Sequence, residues 1–189
     1  YFPKIETNFD IQKNKIHLYS NQVFVTDDVK EIVPEFLMLL HGVIDSPDIP
    51  LNVSRSYLQA DSHVRKISGY ITKKVAEKLN DLFKQDRAGF ESKWPDIGTF
   101  IKYGYLSDDK FEEKVSGSIL LKNTDGQYFT IDEYKEKIKD NQTDKDGKIT
   151  VLYSNVLNDH NSYIQAAKTK GSDAIEMNQV IAIPFIQHL

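Results

Sequence analysis

The sequence predicts an α/β fold, and three observations predict it. KIHLYSNQVFVT at 15–26 is rich in β-branched and aromatic residues, and the longest apolar stripe with three-and-four spacing follows it at 62–83. Farther on, ITVLYS, SYIQAAKTKG and AIEM run strand, helix, strand, an order that implies a parallel pair joined by a right-handed crossover. Between these regions, 86–117 carries a shorter pattern of wholly helical character.

Taken in order, YFPKI at the start reads as a strand already in progress. In the next strand Ile16 and Leu18 share one face and Val23 and Val25 the other, so the phase changes near Ser20 and Asn21, which predicts a bulge or a break in pairing. PEFLMLLHG predicts a short helix, with Pro34 at its first position and Gly42 just past its end. Val43 and Ile44 return to an extended pattern. The long helix at 62–85 follows, with Val64, Ile67, Ile71, Val75, Leu79 and Leu82 along one stripe, Asp61 or Ser62 as its cap, and Gly69 as an internal weak point. The helical region after it uses Phe90, Trp94, Phe100, Ile101 and Phe111 as anchors, with turn signals at Pro95 and Gly104. After Gly117 the periodicity changes: SILL and NTDGQYF lead to Thr130 and Glu133, a capping box that opens a short helix. KDNQTDKDGK is the most linker-like piece and reads as a hairpin-like turn, and Gly171 closes the helix of the strand–helix–strand unit.

Composition narrows the function classes. A chain of 189 residues with 40% hydrophobic content supplies a real core for one domain or two small ones. Its net charge is −4 and acids and bases are interleaved, so nothing advertises nucleic acid or an anionic membrane. With no cysteine there is no disulfide framework, thiolate metal site or cysteine nucleophile. No apolar run approaches a membrane span and no signal peptide is evident. The abrupt starts and stops at YFPKI and IAIPFIQHL suggest a piece of a longer protein.

Most candidate sites have simpler readings. DKDG at 144–147 lacks the spacing and the glutamate of a calcium loop and reads as a polar turn. His17, His41, His63, His160 and His188 show no metal-ligand spacing. Asp159, His160 and Ser162 are near one another in sequence, but a loop and a helix cap explain them. Asn52 and Asn141 match glycosylation sequons without a secretory context, and no glycine-rich phosphate loop is present.

Arg55 is the exception. It is the one basic residue in GVIDSPDIPLNVSRSYLQ, between a strand end and a helix start, with Asn52 and Gln59 as flanking amides. A guanidinium presented outward there suits a phosphate brought by another domain. Equally, it can pair with Asp45, Asp48 or Asp61, and composition does not choose.

VFVTDDVKEIVPEFLMLLHGVIDSPDIPLNVSRSYLQ closely resembles the middle domain of the heat-shock protein 90 family, in its bacterial type, with LNVSR-x-x-LQ at 51–59 the most specific part. The likeness extends more weakly through FPKI, the long helix and the second half. The family resemblance implies two αβα-type subdomains joined by a small helical connector, divided at 1–86, 87–117 and 118–189, and an ATP-driven chaperone of the stress response. It implies that 51–59 is the catalytic loop, that Arg55 reaches the ATP γ-phosphate, and that Asn52 and Gln59 support it. ATP and Mg would be held by an N-terminal domain of the same protein, and none by this chain. A C-terminal dimerisation domain, a cytoplasmic homodimer and unfolded or partly folded clients are implied as well, with no nucleic acid and no membrane as partners. Phe9 and Ile11 in NFDIQ resemble the family's amphipathic client loop, although an ordinary strand preamble explains them equally. Ser56 stands where relatives often carry a charge, so a neighbouring ion pair is in doubt. Two other classes stay open: a transducer-like domain of a DNA-processing ATPase, which typically offers a lysine and a basic face, and a non-catalytic interaction module, in which the loop is pinned by local aspartates.

Overall fold

In the computed structural model the described residues are 16–30, 32–37, 40–47, 49, 62–155, 161–177 and 181–189. They form a mixed α/β architecture of small sheets and helices, as the alternating patterns predict. Strands β1 (Ile16–Ser20), β2 (Val23–Thr26) and β3 (Gly42–Asp45) make one sheet in the order β2-β1-β3. β3 runs parallel to β1 from Ile16↔Gly42 to Tyr19↔Asp45. Ile16, Leu18 and Ser20 face the core and Val43 and Phe24 face outward, the alternation a half-buried strand requires.

The phase change near Ser20 and Asn21 is a reversal of the chain. Asn21 and Gln22 have φ of 50° and 66°, the positive pair of a type I′ hairpin turn whose twist matches the flanking strands. Gln22 N–H donates to Asp45 Oδ2 at 3.1 Å and ties the turn to β3. A register shift does occur, but two residues earlier, between Leu18 and Tyr19. Within PEFLMLLHG the described helix is a single 3-10 turn, Glu35–Leu37, burying Phe36 and Leu37. Gly42 is the first residue of β3 and not a helix cap: β1 offers it a parallel ladder, which outcompetes the local pattern.

Helix α1 (Ser62–Gln85) has the expected extent, and the proposed caps Asp61 and Ser62 lie outside the residues whose side chains are described. Val64, Thr72, Ala76 and Leu79 form its most buried line, with Ile67, Ile71, Val75 and Leu82 half-buried beside it. Gly69 is exposed and a Cβ there meets nothing within 4 Å. Gly69→Ala is therefore expected to stabilise the chain by up to about 1 kcal/mol, read as a higher urea midpoint at unchanged slope. A lower midpoint would contradict this placement.

The region read as a shorter helical pattern with turn signals at Pro95 and Gly104 is helical as expected, but its first part is one 21-residue helix, α2 (Arg87–Ser107), followed by α3 (Asp109–Val115). Asp86 and Asp108 start them, each accepting the N–H of the third residue on, Gly89 and Phe111, at 2.9 Å. Pro95 and Gly104 are not turns. Pro95 is inside α2 on its exposed side, where the only bond it removes is to the Glu91 carbonyl. Gly104 is buried because Phe36 and Phe111 press on it: an added Cβ would lie 2.5 Å from Phe36 Cδ2 and 2.9 Å from Phe111 Cε1.

Beyond a 3-10 turn at Ser116–Ser118, β4 (Leu120–Lys122) and β5 (Tyr128–Thr130) form an antiparallel hairpin. The capping box opens α4 (Ile131–Gln142): Glu133 N–H donates to Thr130 Oγ1 at 3.2 Å and Thr130 N–H to Glu133 Oε2 at 2.8 Å. The hairpin-like turn is present, with Asp144 Oδ1 accepting from Asp146 and Lys148 N–H, both at 2.9 Å. β6 (Leu152–Ser154), α5 (Asn161–Thr169) and β7 (Ala174–Glu176) give the parallel strand–helix–strand unit, and Gly171 at φ +79° closes α5. β6 is shorter than ITVLYS suggests, with Tyr153 exposed. Helix α6 (Ala182–His188) ends the chain. One continuous hydrophobic core links Leu18, Ile32, Leu79, Phe111, Leu121, Ile138 and Phe185, so all three stretches of the sequence share it.

Candidate functional site

The segment with the strongest chemical signal hangs between two anchored ends. β3 delivers the chain to it: Ser46 N–H donates to Tyr19 O at 3.0 Å, and Ile49, 2% exposed, is set into the core just before it. On the far side α1 begins at Ser62 and buries Val64 one turn later. The segment therefore leaves the carboxyl end of a parallel strand pair, where α/β folds commonly place ligand-facing loops on a rigid base. Asn52, Arg55 and Gln59 lie in 50–61, outside the described residues, as do Phe9 and Ile11. Of the acids that might hold Arg55, Asp45 already accepts the Gln22 N–H, and Asp48 and Asp61 fall outside the described residues.

Elsewhere the structure assembles groups that the sequence reading did not single out. Arg87, the first residue of α2, reaches across to the first turn of α4. Its Nη1 lies 2.5 Å from Glu133 Oε1 and its Nη2 2.7 Å from Glu133 Oε2, a two-point guanidinium–carboxylate pair, while Nε holds Glu91 Oε1 at 2.8 Å. Arg87 also donates to Tyr128 O at 3.3 Å. The guanidinium holds the Glu133 carboxyl down at about 2, with Thr130 adding to the effect, so the joint is fully charged at neutral pH. Glu133 is half-exposed, and water screens much of that attraction. The pair orients α4 on α2 and has the character of a structural joint.

Lys102 is the other. It is 3% exposed in α2, with its ammonium 5.2 Å from the Phe185 ring centroid, 6.0 Å from that of Trp94, and 3.9 Å from Met177 Sδ. Burial pushes it down to about 8. A signal was there to read: Lys102 lies four residues after Gly98 and three before Tyr105, beside Ile101, which places the lysine on the apolar face.

Among the described residues the remaining candidates show no catalytic geometry. His17 is exposed, His41 is half-buried, and His188 lies at 2.8 Å from Glu112 Oε1; His160 and the side chain of His63 are outside the described residues, as is Asp159. Among the described residues no group of three or more histidines and acids is placed to hold a metal ion, and no helix is long and apolar enough to cross a membrane. An open apolar groove of about 310 Å³ runs between β6 and α5, bordered by Tyr153, Tyr163, Ile164 and Ala167, without charged groups on its lining.

Comparison with known proteins places this arrangement. Residues 2–188 match the family model described as Hsp90 protein. The chain is 54% identical over its whole length to the chaperone protein HtpG of Bacteroides fragilis, 54% over 171 residues to that of Porphyromonas gingivalis, and 33% over 161 residues to that of Bdellovibrio bacteriovorus. It covers 100%, 90% and 85% of its own length in these matches and 28%, 25% and 25% of theirs, so it spans little more than a quarter of those relatives. A family match that covers nearly every residue leads to one conclusion: the chain belongs to the Hsp90 protein family.

Proposed function

We propose that the chain is the middle domain of an ATP-dependent molecular chaperone, with an αβ subdomain at 1–86, a helical connector at 87–117 and a smaller αβα subdomain at 118–189. The observation that carries the reading is the LNVSR-x-x-LQ motif at 51–59, strung between a strand end and a helix start that are both anchored in the core. In this reading ATP and Mg are bound by an N-terminal domain of the same protein. When that domain docks, Arg55 meets the γ-phosphate, and Asn52 and Gln59 hydrogen-bond within the same contact. A planar, permanently charged guanidinium offsets the charge on the transferring phosphoryl and favours the docked state while ATP is present. Once the phosphate leaves, that contribution vanishes, and hydrolysis is coupled to domain opening. ATP turnover by an Arg55→Ala variant of the full-length protein tests the assignment.

The same reading makes the parent protein a cytoplasmic homodimer closed by a C-terminal domain, acting on unfolded or partly folded clients. Phe9 and Ile11 supply apolar client contact. Titrating the chain with an unfolded polypeptide is expected to perturb the amide resonances of both residues, and unperturbed resonances at saturating polypeptide would remove them from the contact. A transducer of a DNA-processing ATPase fits less well, because the net charge of −4 opposes a basic DNA-facing surface.

A further inference from the structure

The parallel pair of β6 and β7 leaves an open edge. Parallel strands bond through alternate residues: one directs both its N–H and its C=O at the neighbouring strand, and the next directs both away. Met177 N–H donates to Ser154 O at 2.8 Å and Ser154 is in register with Glu176, so Leu152 and Ser154 are the residues that face β7. The N–H and C=O of Tyr153 therefore point out of the sheet. Among the described residues β7 is the one strand beside β6, and on the far side of β7 Asn123 bridges Ile175, so the open edge is that of β6. Such edges are ordinarily blunted by a charged side chain, a proline, a bulge or a covering element. Leu152, Tyr153 and Ser154 carry neither charge nor proline, and Tyr153 is 46% exposed. Beside them lies the apolar groove shared with α5, bordered by Tyr163, which is 76% exposed, and lined by Ile164, Ala167 and Ala174.

We propose that β6 and α5 form a docking edge for an extended, apolar-rich polypeptide segment, which adds as a strand beside β6 and sets alternate side chains into the groove. The occupant follows from what the surface asks for. Tyr153 offers a backbone donor and acceptor at strand spacing, and the groove beside it takes uncharged side chains. A strand of polypeptide satisfies both at once, with main-chain bonds along the edge and a pocket for alternate residues. A small apolar molecule would leave the Tyr153 backbone unpaired, and a charged ligand would meet no counter-charge in the groove. β6 is three residues long, so the added ladder is short and the contact is reversible. The docking edge rests on the client-binding part of the proposed function and names a subsite for it, apart from Phe9 and Ile11 and independent of Arg55.

The test titrates the 189-residue chain with a synthetic heptapeptide that alternates valine and threonine between terminal lysines. At saturating peptide, hydrogen exchange at the Tyr153 amide is expected to slow by about tenfold or more, and the Tyr163 and Ala167 resonances to shift. Tyr153→Pro removes the outward N–H without removing a bond to β7, and is expected to weaken binding by about tenfold or more. Ala167→Glu, which sets a carboxylate in the groove, should do the same, and it decides the matter if the proline variant does not fold. Four results would overturn the docking edge: no binding, binding that leaves Tyr153 exchange unchanged, full affinity in Ala167→Glu, or slowed Tyr153 exchange on raising chain concentration without peptide, which would mark a second copy. Shifts at Phe9 and Ile11 with none at Tyr153 would remove this edge and leave the client reading standing. Shifts at none of these residues would count against both.

Discussion

Replacing Arg55 by alanine in the full-length protein is expected to lower ATP turnover by about tenfold or more while nucleotide affinity and fold stay as they were. The reasoning separates binding from chemistry. In the proposed function ATP is bound by another domain, so its ground-state affinity should not depend on this side chain. In that reading, what Arg55 supplies is charge at the transferring phosphoryl, felt only when the domains dock. The fold should not suffer, because the segment is secured by Ile49 on one side and Val64 on the other. Arg55→Lys keeps the charge but loses the planar two-point fork, and is expected to recover only part of the rate. Unchanged turnover in Arg55→Ala at normal nucleotide affinity would contradict the assignment.

Gly104→Ala is expected to destabilise the chain by about 2 kcal/mol, although alanine is the better helix former by about 1 kcal/mol. Sterics decide the sign. The new Cβ would lie 2.5 Å from Phe36 Cδ2 and 2.9 Å from Phe111 Cε1, and those rings already pack on each other with centroids 4.7 Å apart. Phe36 and Phe111 are 5% and 1% exposed, so neither has solvent to move into. Urea unfolding should show a lower midpoint at unchanged slope. In a Phe36→Leu background, where the nearer of the two clashing rings is gone and only Phe111 remains, the cost of Gly104→Ala should shrink, a coupling between touching residues. A gain in stability in the otherwise unaltered chain would show that α2 and the Phe36 turn are not packed this closely. Gly69 and Gly104 thus predict opposite outcomes for the same substitution in two helices, because only one glycine has a neighbour.

Features set by neighbouring residues were the legible ones. The stripe from Val64 to Leu82 marked α1, Thr130 and Glu133 marked the start of α4, and Gly171 marked the end of α5, each through an interaction spanning a few positions. Features set by distant residues were misread. Gly104 looked like a turn because the ring that requires a glycine there, Phe36, is 68 positions away. Gly42 looked like a helix end because its strand partner, Ile16, belongs to another segment. Pro95 looked like a break, yet a helix anchored by Phe90, Trp94, Ile97 and Ile101 tolerates one lost bond on its exposed side. The Arg87–Glu133 joint spans 46 positions and carries no local signature. Arg55 stood out in the sequence as the one base among acids and prolines, and the described structure adds the anchoring of both ends of its segment.

The most direct test of the phosphate contact is an experimental structure of the full-length protein with a non-hydrolysable ATP analogue and Mg, set beside one with ADP. The account predicts the Arg55 guanidinium about 3 Å from a γ-phosphate oxygen with the analogue, and no such contact with ADP. A guanidinium paired to Asp45, Asp48 or Asp61 in both states would contradict it.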